Sequence, residues 1–113
     1  MNAGHAAMNA GQDADAERLL REAHRMRPCY AYVQINLSAL ASRRDGEESL
    51  RWAEEAVACN PELPIAHRYR AGALERLGRA DEALAEYRRA TAIDPRQADA
   101  WRAQGRLLEG QGA

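Results

Sequence analysis

Three arginines are spaced so that their guanidinium groups could act on one ligand. Arg102 and Arg106 are one helical turn apart and therefore lie on the same face of a helix. Arg68 precedes Arg102 by 34 residues. A guanidinium is a planar fork of donors that pairs with both oxygens of a carboxylate. We call Arg68, Arg102 and Arg106 the arginine row, and the row predicts binding of an acidic ligand.

The arginine row also has a purely structural interpretation. Glu75, Asp99 and Glu109 are close enough in the repeat pattern to pair with these arginines. Such pairs would keep the surface solvated and would bind nothing else. The sequence leaves both interpretations open.

Residue types that commonly carry catalysis or bind metals show no productive spacing. Cys29 and Cys59 are separated by 30 residues and form no CxxC motif, so we predict free thiols and neither zinc binding nor a redox dithiol. His5, His24 and His67 fall in three different predicted helices. Phosphate-loop, GxSxG and HExxH motifs are absent. We therefore expect no enzyme activity, no metal and no cofactor.

Composition indicates one globular domain and narrows the range of partners. Of 113 residues, 46% are hydrophobic and 29% are charged, with a net charge of −1. Nucleic acid is not expected as a partner, because it usually requires a basic excess. Residues 1–12 contain neither a basic residue nor a continuous apolar run, so we predict no signal peptide, no membrane association and a cytoplasmic protein. All 16 basic residues are arginine, which is typical of a GC-rich, bacterial coding sequence.

The sequence contains a repeat of 33 or 34 residues, and this repeat determines where the arginines lie relative to each other. Small residues and a proline recur at these two steps, and each copy contains two amphipathic segments with apolar residues at helical spacing. The recurring sets are Ala16, Ser49 and Ala83; Ala23, Ala56 and Ala90; and Pro28, Pro61 and Pro95. Glycines and prolines punctuate the copies and predict seven helices. These helices cover about 2–10, 13–27, 31–43, 47–59, 64–77, 80–93 and 98–109.

The repeat resembles the tetratricopeptide repeat, a helix-turn-helix unit of 34 residues. The second half of the family pattern, A-x3-F followed by A and P, is present in three copies. They are Ala16-Leu20-Ala23-Pro28, Ser49-Ala53-Ala56-Pro61 and Ala83-Tyr87-Ala90-Pro95. The first half is degraded. Its aromatic position holds Gln34, His67 and Trp101, and its leucine position holds Leu37, Arg70 and Gln104.

The resemblance implies an all-α fold in which antiparallel helix pairs stack as a right-handed superhelix, a TPR-like α-solenoid. It further implies a single domain over 1–113. The repeats would cover about 1–29, 30–63 and 64–97, followed by a capping helix at 98–110. The core residues that we expect are Leu20, Ala23, Ala56, Leu74, Tyr87 and Ala90.

In this family the first helix of each pair lines a concave groove in which a peptide lies. The resemblance therefore implies groove positions for His5, Asn9, Tyr32, Ile35, Asn36, Arg43, Arg68, Tyr69, Gly72, Arg76, Arg102 and Arg106. The predicted peptide-binding set is Tyr32, Asn36, Arg43, Arg68, Tyr69, Arg102 and Arg106. Only Asn36 matches the carboxylate clamp that binds chaperone tails in some relatives, so that specificity is not expected here.

Three functional hypotheses follow. The first is a non-catalytic protein-interaction module that binds a protein or peptide, acidic in character, in the groove. The second is a repeat domain of a larger enzyme or secretion factor, because the first predicted helix lacks its opening turn; alternatively, the chain simply begins there. The third is a scaffold that self-associates through its terminal helices.

Overall fold

A computed structural model describes residues 3–112 of the chain, with side chains described for 11–110. This part of the chain is all-α and contains no strand. Helices that follow each other in sequence pack together and form a solenoid of antiparallel helix pairs. The six helices are α1 (Ala3–Met26), α2 (Ala31–Ala41), α3 (Gly46–Cys59), α4 (Pro64–Arg76), α5 (Ala80–Ile93) and α6 (Ala98–Gly112).

Local sequence signals set the ends of the helices from α3 onward. The Asp45 carboxylate caps α3 by accepting hydrogen bonds from the backbone N–H groups of Glu47 and Glu48, at 3.0 and 3.3 Å. Pro64 occupies the first turn of α4, where its missing N–H costs nothing. Gly78 follows α4 with φ +77°, a conformation that favours glycine. These signals explain why the predicted bounds of α2 to α6 agree with the structure to within about three residues.

The prediction of two helices at the N-terminus was wrong. We expected one helix at about 2–10, a turn at Gly11 and a second helix at about 13–27, whereas α1 runs unbroken from Ala3 to Met26. Gly11 does not have a positive φ. A turn there would sacrifice helical hydrogen bonds, and only packing of the first segment against a neighbour could offset that loss.

Each later repeat uses a polar side chain to bind the carbonyl of its preceding proline. The donor stands six residues after the proline, in the position where the family pattern has an aromatic residue. The three bonds are Gln34 Nε2 to Pro28 O at 2.7 Å, His67 Nε2 to Pro61 O at 2.7 Å, and Trp101 Nε1 to Pro95 O at 2.8 Å. Glutamine, histidine and tryptophan are therefore interchangeable here because each supplies an N–H donor at the same place.

Small residues allow the two helices of each pair to approach closely. Ala71 and Ala83 are completely buried where α4 meets α5. At the equivalent point between α2 and α3, the hydroxyls of Ser38 and Ser49 each donate to the backbone carbonyl of the other residue, at 2.8 and 2.9 Å. The serines therefore satisfy their own polar groups within a buried contact.

The core extends from α2 to α6. Four of the six predicted core residues are buried, namely Ala56, Leu74, Tyr87 and Ala90. Leu20 and Ala23 are only half-buried, which corrects the prediction for α1. Within the described residues, α1 packs chiefly on α2, whereas α5 is packed between α4 and α6.

The two cysteines form a disulfide, so the prediction of free thiols was wrong. Cys29 and Cys59 lie in or beside the turns that end two successive repeats, and their Cα atoms are 5.3 Å apart. A separation of 30 residues is nearly one repeat, and stacking of repeats brings equivalent turns together. The bond ties the end of α1 to the end of α3.

Candidate functional site

A concave groove of about 960 Å³ runs across α2, α4 and α6. We use "the groove" for this surface throughout. Its walls are arginine-rich, and small residues on the same helices leave the space open. The lining residues are Ala39, Ser42, Arg43, Ser49, Arg68, Tyr69, Gly72, Arg76, Tyr87, Asp99, Arg102, Ala103, Gly105, Arg106 and Glu109.

All six predicted groove residues from α4 and α6 line this surface, as does Arg43, whereas none of the three predicted within α2 does. The residues found in the lining are Arg43, Arg68, Tyr69, Gly72, Arg76, Arg102 and Arg106. Asn36 and Tyr32 are exposed outside the lining, and Tyr32 makes an edge contact with Tyr30, with ring centroids 6.1 Å apart. Ile35 is buried in a cluster with Ala56 and Ala66, so its assignment to the groove was wrong. The side chains of His5 and Asn9 lie outside the described part of the structure.

One carboxylate, that of Asp99, joins two members of the arginine row. Its Oδ2 accepts a hydrogen bond from Arg68 Nη1 at 3.4 Å, and its Oδ1 accepts one from Arg102 Nη2. Arg68 stands on α4 and Arg102 on α6, so Asp99 bridges two repeats. Arg68 and Arg102 therefore pair with an acid of the protein itself, as the structural interpretation predicts.

The third member of the arginine row is held more firmly. Arg106 binds the Glu75 carboxylate through both of its terminal nitrogens, with Nη2 at 3.2 Å from Oε1. The hydroxyl of Tyr87 donates to the same Oε1 at 3.0 Å. Glu75 is thus a structural anion that fixes Arg106 against the floor of the groove.

The charges of this cluster shift two pKa values in opposite directions. The hydrogen bond from Arg106 lowers the pKa of Glu75, and the bond from Tyr87 adds to the effect. Burial raises the pKa of Tyr87 to about 12, and the adjacent Glu75 carboxylate reinforces the rise. At neutral pH, Glu75 is therefore ionised and the Tyr87 hydroxyl remains protonated as its donor.

Of the two remaining arginines of the groove, one is paired with an acid of the protein and the other is available to a ligand. Arg43 Nη1 binds the Asp13 carboxylate of α1 at 2.7 Å, which ties α1 to the groove wall. Arg76 is exposed and forms no ion pair with any residue that the structure describes. The groove therefore contains one unoccupied guanidinium, at Arg76, and two that share Asp99.

Sequence reasoning named most of the groove arginines and missed how the floor is built. Tyr87 was assigned to the core alone, yet it is buried and still contributes to the lining. Its pairing with Glu75 joins residues 12 apart on two helices. That spacing resembles no local helix pattern, so no signal in the sequence indicated it.

The described residues include no group of three or more histidine, cysteine or acidic side chains that could hold a metal ion. Among the same residues, no helix is both long and apolar enough to cross a membrane.

This architecture is similar to that of known proteins. Residues 64–107 match the family profile of the tetratricopeptide repeat. No curated protein sequence matches the chain significantly.

Solved structures resemble the chain over nearly its whole length. The first TPR of Spaghetti (RPAP3), bound to the HSP90 peptide SRMEEVD, superposes with a TM-score of 0.86 at 18% identity and covers 97% of this chain and 88% of that one. The Arabidopsis OM64 TPR domain gives a TM-score of 0.83 at 25% identity, with coverage of 95% and 89%. MamA gives 0.81 at 17% identity; the chain is covered to 99% and spans only 66% of MamA. The fold is thus that of tetratricopeptide-repeat proteins.

Proposed function

We propose that this chain, in which residues 64–107 match the tetratricopeptide-repeat profile and which has the fold of tetratricopeptide-repeat proteins, is a non-catalytic protein-interaction module that binds an extended peptide segment in the groove. Fold by itself does not establish a function, so the proposal depends on the groove and its side chains. We further propose that the chain is organised as one domain of three repeats, about 1–29, 30–63 and 64–97, with a cap at 98–110.

The observation that carries the proposal is the charge of the groove. Five arginines line it, at positions 43, 68, 76, 102 and 106, and only two carboxylates do so, Asp99 and Glu109. Tyr69 and Ala103 contribute apolar surface to the same lining. A peptide that alternates acidic and apolar side chains would match both features.

We expect this peptide to be acidic. A well-formed bond between a guanidinium and a carboxylate contributes about 1.5–3 kcal/mol, and ordering of an extended peptide cancels part of that. The net affinity would be about micromolar. The Spaghetti domain is described with a peptide, SRMEEVD, that contains acidic residues. Because the clamp residues of that specificity are not matched here, we do not propose HSP90 as the partner.

A short fluorescein-labelled peptide in which glutamates alternate with leucines tests the proposal by fluorescence anisotropy. Its analogue with glutamine in place of glutamate is the ligand control. The proposal would be supported if the acidic peptide bound and its glutamine analogue did not, and if added salt weakened the binding. Equal binding of both peptides, or binding of neither, would refute it.

Two variants then locate the binding surface. R68E/R102E reverses two groove charges and should abolish binding. R51E/R88E reverses two exposed charges outside the groove and should leave binding unchanged. If the second variant lost binding and the first did not, the convex surface would be the binding site.

Self-association is a second candidate, favoured by exposed apolar side chains on both terminal helices. Leu19 and Met26 are exposed on α1, as are Trp101 and Leu108 on α6. Sedimentation velocity over a range of concentrations tests this candidate. A constant sedimentation coefficient would exclude a scaffold that is built through these helices.

A cytoplasmic location stays a prediction, and the disulfide is relevant to it. Disulfides persist mainly in oxidising compartments, since cytosolic thiols are kept reduced. Alkylation of the protein before lysis, followed by mass spectrometry, reports whether Cys29 and Cys59 are free in the cell. A fully oxidised pair would count against the cytoplasm.

A further inference from the structure

The Asp99 carboxylate occupies a position between two guanidinium groups that a ligand carboxylate would also fit. Each of its oxygens accepts from a different arginine, Oδ1 from Arg102 and Oδ2 from Arg68. The Asp99 side chain is 64% exposed and belongs to the lining of the groove. Solvent, and therefore a ligand, can reach the place where Asp99 now binds.

The two arginines are only partly satisfied by Asp99. Arg68 makes one bond of 3.4 Å, which is long for a charged pair, and its buried Nε has no partner. The Arg102 side chain is 78% exposed, so its head is free to turn towards another acceptor. Their remaining donors are available to a second carboxylate, or to one that replaces Asp99.

The other acids near the groove do not have this arrangement. Glu75 is mostly buried and is held by both Arg106 and Tyr87, so a ligand cannot readily displace it. Glu109 lines the groove and is exposed, and it forms no ion pair with the described residues. Of these three acids, Asp99 alone combines exposure with bonds to arginines of two different helices.

We propose that Asp99 is an internal competitor that determines the affinity and selectivity of the groove. It takes the place of one ligand carboxylate, so an acidic peptide binds by displacing it from Arg68 and Arg102. A ligand without a carboxylate at that point cannot compensate for breaking these pairs and is rejected. This inference rests on the proposed function, because it assumes that the groove binds acidic peptides.

The test compares D99N with E109Q. Each substitution removes one negative charge from the groove lining, but only D99N frees the two arginines. With the glutamate–leucine peptide at fixed ionic strength, D99N should lower the dissociation constant about threefold or more. E109Q should change it by less than half as much. D99N, but not E109Q, should also gain affinity for the glutamine analogue, because the pairs of Asp99 with Arg68 and Arg102 no longer have to be broken.

An equal decrease of the dissociation constant in both variants would overturn the inference, because the effect would then depend only on the net charge of the groove. An unchanged or weaker affinity of D99N would overturn it as well. Asp99 stands in the first turn of α6, where a negative charge stabilises the helix, so unfolding of D99N must be monitored by circular dichroism.

Wild-type protein gives a second test that depends on no variant. On titration with the acidic peptide, the Nε–Hε resonances of Arg68 and Arg102 should shift together with the carboxyl carbon resonance of Asp99. An Asp99 resonance that stays unchanged at saturation would refute displacement.

The outcomes separate this inference from the proposed function. If neither wild type nor D99N binds the acidic peptide, the proposed function fails and the inference fails with it. If wild type binds and R68E/R102E does not, while D99N gains nothing, only the role of Asp99 is refuted.

Discussion

Helix α1 and the region 64–107 carry the same repeat pattern but are packed differently. Ala23 and Ala90 occupy equivalent positions two repeats apart, yet Ala23 is half-buried and Ala90 is completely buried. Helix α5, which carries Ala90, has α4 on one side and α6 on the other. In the described part of the chain, α1 has neighbours on only one side. A repeat residue becomes core only where helices pack on both sides of it.

The two regions are also held by different forces. In 64–107, buried residues of α4, α5 and α6 share one apolar cluster. The contacts of helix α1 include an ion pair of Arg21 with Glu48 at 3.0 Å and an edge-on contact of His24 with Trp52, with ring centroids 5.0 Å apart. Exposed ion pairs contribute little. The disulfide that follows α1 is therefore expected to be important for its attachment.

Loss of the disulfide should have the largest effect on stability. It closes a loop spanning 30 residues, and C29S/C59S should lower the free energy of unfolding by about 3 kcal/mol. Urea denaturation measures the change. Hydrogen exchange should show that 13–26 loses protection, whereas 64–93 loses less.

Wild-type protein treated with dithiothreitol is the matched control and should unfold like the double variant. The double variant should not respond to dithiothreitol. If reduction left the wild-type midpoint unchanged, the bond would contribute nothing to the attachment of α1.

Overpacking should have the second-largest effect on stability, and its cost should differ between the two regions. A90L inserts a larger side chain where no space exists and should cost about 1–3 kcal/mol. A23L makes the same change at the equivalent position of α1 and should cost less than about 0.5 kcal/mol, because Ala23 borders solvent. Equal costs in chemical denaturation would mean that α1 is packed as tightly as α5.

The hydrogen bonds to the proline carbonyls should contribute measurably to the stability of the region 64–107. His67 binds Pro61 O at 2.7 Å through Nε2, and its Nδ1 lies 2.8 Å from Glu86 Oε1. H67L removes the donor to Pro61 O and leaves Glu86 with its ion pair to Arg70 at 3.4 Å, and it should cost about 1 kcal/mol. H67Q should cost less than H67L, because Gln34 makes the same bond in the preceding repeat. Thermal unfolding ranks the two variants, and the reverse order would show that the bond to Pro61 is unimportant.

The smallest expected effect is on the pH dependence of stability. Arg106 holds the pKa of Glu75 below its usual value near 4.5. A depressed folded-state pKa stabilises the fold above the unfolded-state pKa, and this contribution is lost as the pH falls through the folded value. Wild type should therefore lose more stability than E75Q between about pH 5 and 3. E109Q, which removes an unpaired carboxylate, should follow wild type; parallel curves for E75Q and wild type would contradict this expectation.

The sequence by itself determined the helices from α2 to α6 and the register of the repeats. The bounds followed from local signals such as the Asp45 cap and Pro64, and the register followed from small residues and prolines at steps of 33 and 34. The same period made Arg68 and Arg102 equivalent, and both line the groove. These features depend on contacts within one repeat or on its exact recurrence, so a pattern in the sequence can express them.

The tertiary structure alone decided two pairings that the period did not indicate. The link between Cys29 and Cys59 and the bond from Tyr87 to Glu75 join residues 30 and 12 positions apart. Whether such residues meet depends on the angle and separation at which successive helices stack, and a periodic sequence does not specify these quantities. The continuous course of α1 was decided in the same way, because only a neighbouring helix could have made a turn at Gly11 favourable.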